Sequence, residues 1–187
     1  MRDDFGFEVR RQVVHALTGV VLAYILLSIG KTNFLYFALA MMLVIGLAIF
    51  YIQGHIHSKL ADIIGIFERQ GSQVFSGAFL FMVGALIAAL LFPEAIAAYA
   101  ILVLGIADAV STAVGVAIGR HKLKWNSEKS YEGSLAFLVA AVAVLLLAEA
   151  PLAAFVIAVI VTAVESLPRI NDNITIPIAA GALMLII

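Results

Sequence analysis

One carboxylate in this sequence lies where solubility cannot explain it. Asp108 sits inside a long apolar run, with apolar or small residues on both sides. An acidic group at the centre of a membrane helix costs on the order of 3 kcal/mol on insertion scales, so it is expected to face a partner or a polar cavity. In a helix, Thr112, Gly115 and Gly119 share its face. Thr112 and Gly115 are therefore predicted to line a crevice; close helix packing, or a structural hydrogen bond from Asp108, is the alternative.

A basic segment follows this apolar run. Its fixed cations are Arg120, Lys122, Lys124 and Lys129. A helix is expected to begin within Lys129-Ser130-Tyr131-Glu132-Gly133-Ser134, and the free N–H groups and positive dipole end of a helix N-terminus attract anions. A polyphosphate is therefore the predicted ligand, bound by the four cations together with Ser130, Gly133 and Ser134. An ordinary basic loop that only sets membrane topology is the alternative. The chain contains no P-loop motif.

A third polar cluster holds Glu165, Asp172 and Asn173. Glu165 and Asp172 are candidate oxygen ligands for a magnesium ion together with Asp108, because hard cations prefer carboxylate, carbonyl and water oxygens. A plain turn between two helices is the alternative for this cluster. Asn173 is a further candidate for the same site.

The histidines have weaker signals. His15 lies near the start of the first apolar run, and His55 and His57 follow the second. Residues i and i+2 diverge on a helix, and no companion ligand accompanies the pair, so a metal role is not expected for it. Interfacial anchors or lipid-headgroup contacts are the expected roles for all three, and His15 is also a further candidate residue of the site. The segment Gly54–Gly71 is predicted to form an amphipathic helix on the inner membrane surface.

The elements that position these residues are predicted to be membrane helices. Of the 187 residues, 64% are hydrophobic and only 12% are charged, which is too apolar for a soluble domain of this length. The net charge of -1 argues against a nucleic-acid partner, and the lack of cysteine excludes thiolate chemistry.

A membrane span takes about 20 helical residues. The apolar runs lie at 12–29, 33–53, 72–92, 94–119, 133–149, 151–167 and, shorter, 174–187. The predicted fold is an all-α polytopic transmembrane bundle of about seven spans, forming one integral membrane domain over residues 1–187.

Positive charge predicts the orientation of this bundle. With the N-terminus in the cytoplasm, every one of the 11 lysines and arginines except Lys31 falls on the cytoplasmic side, as the positive-inside rule requires. The outward turns at Pro93-Glu94 and Glu149-Pro151 carry no lysine or arginine. The candidate site is therefore predicted to lie on the cytoplasmic face of a multi-pass membrane protein.

Together these elements resemble the dolichol kinase and phytol kinase family of CTP-dependent polyprenol kinases. The resemblance covers most of the chain, and the Lys-x-x-Glu-Gly-Ser element joined to an upstream intramembrane aspartate is fairly specific. It is carried by Ala107-Asp108-Ala109, Gly115-x-x-x-Gly119-Arg120, Lys129-Ser130-Tyr131-Glu132-Gly133-Ser134, Glu165, Asp172-Asn173 with Pro177, and Arg10-Arg11-x-x-x-His15. One departure is Ala107, where glycine is common in the family; its methyl group narrows the backbone approach.

The resemblance implies an enzyme that transfers the γ-phosphate of CTP to the terminal hydroxyl of a membrane polyprenol such as dolichol, with Mg²⁺ as cofactor. The expected catalytic residues are Asp108, Glu132 and Lys129. Asp108 and Asp172 are the expected magnesium ligands, and Glu132 or Asp108 is expected to orient the lipid hydroxyl. The crevice along Thr112 and Gly115 is expected to admit the prenyl chain.

Two other functions stay open at this point. A CTP-dependent cytidylyltransferase that forms a CDP-lipid is similar in its aspartate and Lys-x-x-Glu-Gly arrangement, and differs in which phosphate is attacked. A small membrane transporter would also use an intramembrane carboxylate, although the sequence shows no internal repeat. The lipid alcohol itself is not identified by the sequence.

Overall fold

The computed structural model describes residues 2–54, 76–169 and 171–187. Within these ranges the chain is all-helical, as predicted, and each predicted apolar run corresponds to one helix. The helices are α1 (Arg2–Ile29), α2 (Lys31–Gly54), α3 (Ser76–Leu91), α4 (Glu94–Ile118), α5 (Tyr131–Leu145), α6 (Pro151–Glu165) and α7 (Asp172–Ile186). The predicted surface helix after Gly54, with His55 and His57, lies outside the described residues.

Helix length divides the bundle into two groups. Three helices are long and apolar enough to cross a membrane: α1 over Phe5–Ile29, α2 over Lys31–Ile52, and α4. The other four have 15 or 16 residues, which corresponds to roughly 22–24 Å of helix at 1.5 Å per residue. The structure thus supports a membrane protein through its three long helices, and the crossing of the four shorter ones stays a prediction.

The turns between helices follow from single residues. Gly30 joins α1 to α2 with a φ of 79°, a left-handed conformation that glycine adopts without steric cost. Pro93 precedes α4 and Pro151 opens α6, where proline is tolerated because the first helical N–H groups have no intrahelical partner. At the same end, Lys31 donates from Nζ to the carbonyl oxygens of Leu90 and Phe92.

Helix α4 is the centre of the bundle and packs against α1, α3, α5 and α7. It crosses α1 at a pair of glycines: a Cβ added at Gly19 would lie 2.7 Å from the Cα of Gly105. Gly105 belongs to a π-helical segment, Val103–Asp108, a wide turn that often marks functional sites in α-helices. The crossing sets the part of α1 around His15 against the part of α4 that carries Asp108.

Helix α7 packs against α3 through another glycine. A Cβ at Gly84 would lie 1.8 Å from the carbonyl oxygen of Asn173, so only glycine leaves room for that carbonyl. Pro177 lies inside α7 and contacts the same surface of α3. Because proline has no N–H, it cannot bond the carbonyl four residues earlier, which is that of Asn173. The polar start of α7 therefore lies beside the middle of α3.

The glycine crossing generates a stability prediction. Gly19→Ala should destabilise the fold by about 2 kcal/mol, because the new methyl group meets backbone that can move only if the helices separate. Gly46→Ala is the matched control, since nothing lies within 4 Å of a Cβ there. Chemical unfolding in detergent micelles, followed by circular dichroism, measures both variants. Equal stability of the two variants would show that the crossing is looser than described.

Candidate functional site

Lys129 lies at the centre of the candidate site. Its Nζ donates to Oε1 of Glu165 at 2.6 Å and to Oδ2 of Asp172 at 2.6 Å. The side chain of Glu165 is fully buried, whereas those of Lys129 and Asp172 keep 21% and 23% of their surface exposed. An ammonium group thus lies between two of the carboxylates that were predicted as magnesium ligands.

The carboxylates around Lys129 favour the charged form of its ammonium group. Burial alone would lower the pKa of its ammonium group, but the carboxylates of Glu165, Asp172 and Asp108 outweigh that effect and raise the pKa. Lys129 therefore stays protonated at neutral pH. The carboxylates of Glu165 and Asp172 bond Lys129 from α6 and α7, and that of Asp108 acts on it electrostatically from α4. We call Lys129, Asp108, Glu165 and Asp172 the Lys129 cluster.

Hydroxyl groups complete the bonding of Glu165. Ser111 donates to Oε1 at 3.0 Å, and the hydroxyl of Ser134 makes a longer and weaker contact with Oε2 at 3.4 Å. Ser134 was predicted as a nucleotide ligand, and the structure gives it this carboxylate as a partner. Ser111 was missed in the sequence, although its place three residues after Asp108 on the same helix could have indicated it. A buried carboxylate needs such donors, because an unpaired charge away from water is costly.

Asp108 faces the interior of the bundle and meets His15 on α1. Its Oδ2 lies 3.4 Å from Nε2 of His15, and the two side chains keep 15% and 16% of their surface exposed. The imidazole packs edge-on against Phe81, with ring centroids 4.7 Å apart and an interplanar angle of 79°. It also interacts with the main-chain carbonyl of Leu104 in the π-helical segment. His15 is therefore a residue of this site, and not an anchor at the surface.

Three buried side-chain atoms of the described residues have no hydrogen-bond partner: Oε1 of Gln12, Nε2 of His15 and Oδ1 of Asn173. Gln12 donates through Nε2 to Glu8, which also binds Arg11. Buried polar atoms are nearly always bonded to protein, water or a ligand. Two of the atoms are on α1, whose His15 faces Asp108. The third is on α7, which carries Asp172 of the Lys129 cluster. The interior of the bundle is therefore polar near this cluster.

The basic loop, residues 120–130, is fixed to the rest of the site. Lys122 and Ser130 form an isolated β-bridge, and Nδ1 of His121 lies 2.6 Å from Oε1 of Glu132. The indole of Trp125 donates to the carbonyl of Ser166 at 3.1 Å, and the Asn126 amide donates to the same carbonyl at 3.2 Å. The loop between α4 and α5 is thereby joined to the loop between α6 and α7, at one end of the bundle.

The residues predicted to bind a polyphosphate divide into two groups. Arg120, Lys122 and Lys124 are exposed on the basic loop. Ser130 is buried, and its Oγ accepts a hydrogen bond from the Gly133 N–H at 3.1 Å. That serine is the N-cap of α5, so the N–H predicted to face an anion already has a partner within the chain. A phosphate contact at Ser130 and Gly133 stays a prediction.

Gly115 lies at a helix contact. A Cβ there would come 3.5 Å from Oγ of Ser130 and 3.9 Å from the Cα of Gly133, and one at Gly119 would come 2.5 Å from Oγ of Ser130. This is the close-packing alternative for the small-residue stripe. Thr112 is partly buried on the same helix. Admission of a lipid chain along Thr112 and Gly115 stays a prediction.

An open apolar groove of about 460 Å³ lies on a different face of α4, against α5. Glu132 lies at one end of it, and the rest of its lining is apolar: Val110, Val114, Ile118, Leu135, Ala136, Val139, Ala140 and Ala143. Neither Thr112 nor Gly115 lines this groove. It faces outward, as a lipid-exposed surface of a membrane bundle would.

The donor set is compatible with magnesium only as a complex with phosphates. In residues 2–54, 76–169 and 171–187, no three or more histidine, aspartate or glutamate side chains are grouped closely enough to hold a metal. Lys129 also takes one oxygen of Asp172. Magnesium, however, usually binds one or two carboxylates plus substrate phosphates. Asp108 and Asp172 act on each other electrostatically, and their binding of magnesium stays a prediction.

The Lys129 cluster generates a prediction on stability. Lys129→Met should destabilise the fold by about 3 kcal/mol or more, because it leaves buried carboxylates without their cation. The exposed Lys124→Met is the matched control. The effect of Lys129 is present below its unfolded pKa of about 10.4 and is lost only as pH rises past the higher folded value. The difference between the variants in detergent unfolding should therefore persist at mildly alkaline pH; its absence at neutral pH would contradict the assignment.

Two curated proteins are similar to this chain over almost their whole lengths. An uncharacterized protein of Methanocaldococcus jannaschii is 29% identical over 174 residues, which are 91% of this chain and 88% of that protein. An uncharacterized protein of Rickettsia prowazekii is 28% identical over 196 residues, covering 95% of this chain and 93% of that protein. No family model matches the chain, and no solved structure matches it.

Proposed function

We propose that this protein is a lipid kinase, which transfers the γ-phosphate of CTP to the terminal hydroxyl of a membrane polyprenol such as dolichol. The observation that carries the proposal is the Lys129 cluster, in which a protonated lysine lies among three carboxylates at the end of the bundle that bears the basic loop. A turn with only a structural role would not require so many buried charges, because burying each ion costs roughly several kcal/mol.

The proposed topology has seven spans, with the N-terminus and the Lys129 cluster on the cytoplasmic side. Charge distribution supports it, because Lys31 is the one fixed cation assigned to the outer side. The contacts are consistent with it as well: Lys31 binds carbonyls beside Pro93, at the end opposite the basic loop. CTP would then reach the site from the cytoplasm and the lipid from the bilayer.

Phosphoryl transfer demands positioning and positive charge more than covalent chemistry from the protein. In the proposed reaction, the alcohol oxygen attacks the γ-phosphorus and forms the new P–O bond. The bond from the γ-phosphorus to the β,γ-bridging oxygen breaks, and cytidine diphosphate leaves with that electron pair. The hydroxyl proton passes to the carboxylate of Asp108. Arg120, Lys122 and Lys124 hold the triphosphate, and Lys129 stabilises the charge that develops beside it.

Magnesium, when bound, would neutralise charge on the phosphates, with Asp108 and Asp172 as the carboxylates that hold it. Lys129 orients Asp172 through its hydrogen bond. Glu132 accepts a hydrogen bond from the His121 N–H at 3.3 Å, so its carboxylate fixes the basic loop at the start of α5. This contact supports Asp108, rather than Glu132, as the residue that orients the lipid hydroxyl.

The activity itself is tested with labelled CTP and a panel of lipid alcohols in detergent micelles. The γ-label should appear in the lipid product. Asp108→Asn should lower kcat at least 100-fold, because a removed proton acceptor typically costs about two to four orders of magnitude. Glu149→Gln, at the opposite end of the chain's predicted topology, is the control and should retain activity. An α-label in the lipid would indicate a cytidylyltransferase instead, and nucleotide-dependent uptake into vesicles without lipid modification would indicate a transporter.

Nucleotide binding has an intrinsic probe. Trp125 is the single tryptophan of the chain. It lies in the basic loop, and its indole N–H donates a hydrogen bond to the carbonyl of Ser166. Adding CTP with Mg²⁺ should shift its fluorescence saturably, because the phosphates bind the flanking Lys122 and Lys124. Cytidine, which lacks phosphates, should leave the spectrum unchanged, and raised salt should weaken the response to CTP. A response that is the same for cytidine would rule out phosphate recognition by the loop.

A further inference from the structure

His15 and Asp108 face each other without completing a hydrogen bond. Their nearest atoms, Nε2 and Oδ2, are 3.4 Å apart, beyond the range of about 2.7–3.2 Å for a direct N–H···O bond. Nε2 is buried and has no hydrogen-bond partner among the described residues. Since buried polar atoms are almost always satisfied, this contact is an incomplete site and not a finished structural bridge.

The imidazole is held in place from several sides. Phe81 packs edge-on against it at 4.7 Å, and the Leu104 carbonyl interacts with it from α4. One turn away on α1, Gly19 packs against Gly105 closely enough that neither can carry a Cβ. The backbones of α1 and α4 therefore cannot move closer at this crossing, one turn from the contact between His15 and Asp108.

A hydroxyl group could form hydrogen bonds with both His15 and Asp108. It can donate its proton to the Asp108 carboxylate while its oxygen accepts from an imidazole N–H. An ether can accept but has no proton to donate. Both side chains keep about one-sixth of their surface exposed, 16% for His15 and 15% for Asp108. Because Nε2 itself is buried, an alcohol reaches it only when the side chains around it shift. Gln12, one turn before His15 on α1, also has a buried oxygen without a hydrogen-bond partner.

We propose that His15 and Asp108 together bind the hydroxyl of the acceptor alcohol, so that α1 supplies half of the acceptor site. The use of that hydroxyl in phosphoryl transfer rests on the proposed function; its binding does not. The assignment places the alcohol oxygen beside the carboxylate, within the charged interior that the Lys129 cluster forms. It also gives a role to the polar face of α1, which phosphate binding by the basic loop leaves unexplained.

The test is a binding experiment that needs no turnover. Geranylgeraniol and its methyl ether, which differ only in the hydroxyl proton and a methyl group, compete with labelled geranylgeraniol for the purified protein in detergent micelles. The wild type should prefer the alcohol by about tenfold, the size of one good hydrogen bond to a charged group. His15→Ala should lower this preference to about twofold or less. Leu17→Ala, on the exposed face of the same helix, should keep the wild-type preference.

His15→Gln keeps a side-chain N–H and should recover part of the preference, which a purely structural role of the ring would not predict. If His15→Ala does not fold, the comparison of His15→Gln with the wild type still decides. Equal binding of alcohol and ether by the wild type would overturn the proposal, as would an unchanged preference in folded His15 variants. A preference for the alcohol without any phosphorylated product would instead remove the kinase assignment and leave the hydroxyl site intact.

Discussion

The structure depends on the ion pairs that Lys129 makes with Glu165 and Asp172. Each of these charges is largely withdrawn from water, and each would be unfavourable alone, because the desolvation of a single ion exceeds what one surface contact returns. Held together, they join α6, α7 and the start of α5, and their field reaches Asp108 on α4. The charge of Lys129 therefore helps to hold the ends of four helices together. The positions of these helix ends set the shape of the candidate site.

Much of this could be predicted from the sequence, because the signals are local. Continuous apolar runs indicate helices in lipid, where every backbone group must be bonded within its own segment. Asp108 is conspicuous for the same reason, since a carboxylate in such a run needs a partner. The grouping of Lys129, Glu165 and Asp172 at one end also follows from counting spans, because helices of opposite direction return their ends to the same side.

Other features could not be predicted, because they depend on which helices touch. The sequence shows glycines at 19, 84 and 105 but not that Gly19 meets Gly105 while Gly84 meets Asn173. It therefore gave no reason to place His15 against Asp108. Ser130 and Gly133 were predicted to present free N–H groups, but a serine before a helix also caps it, and local capping is satisfied before any ligand binds. Lys129 between the carboxylates likewise required three-dimensional proximity.

In the proposed seven-span topology, the shortness of α3, α5, α6 and α7 would affect the surrounding bilayer. An apolar height of roughly 22–24 Å is several ångströms less than the thickness of a typical hydrocarbon core, about 30 Å. Lipids adjust to such a mismatch by compressing their chains beside the short side of a protein. Head groups next to that side would then sink toward the start of α7. In the proposed reaction, the alcohol end group of the lipid would then travel a shorter distance from the membrane interface to the Lys129 cluster.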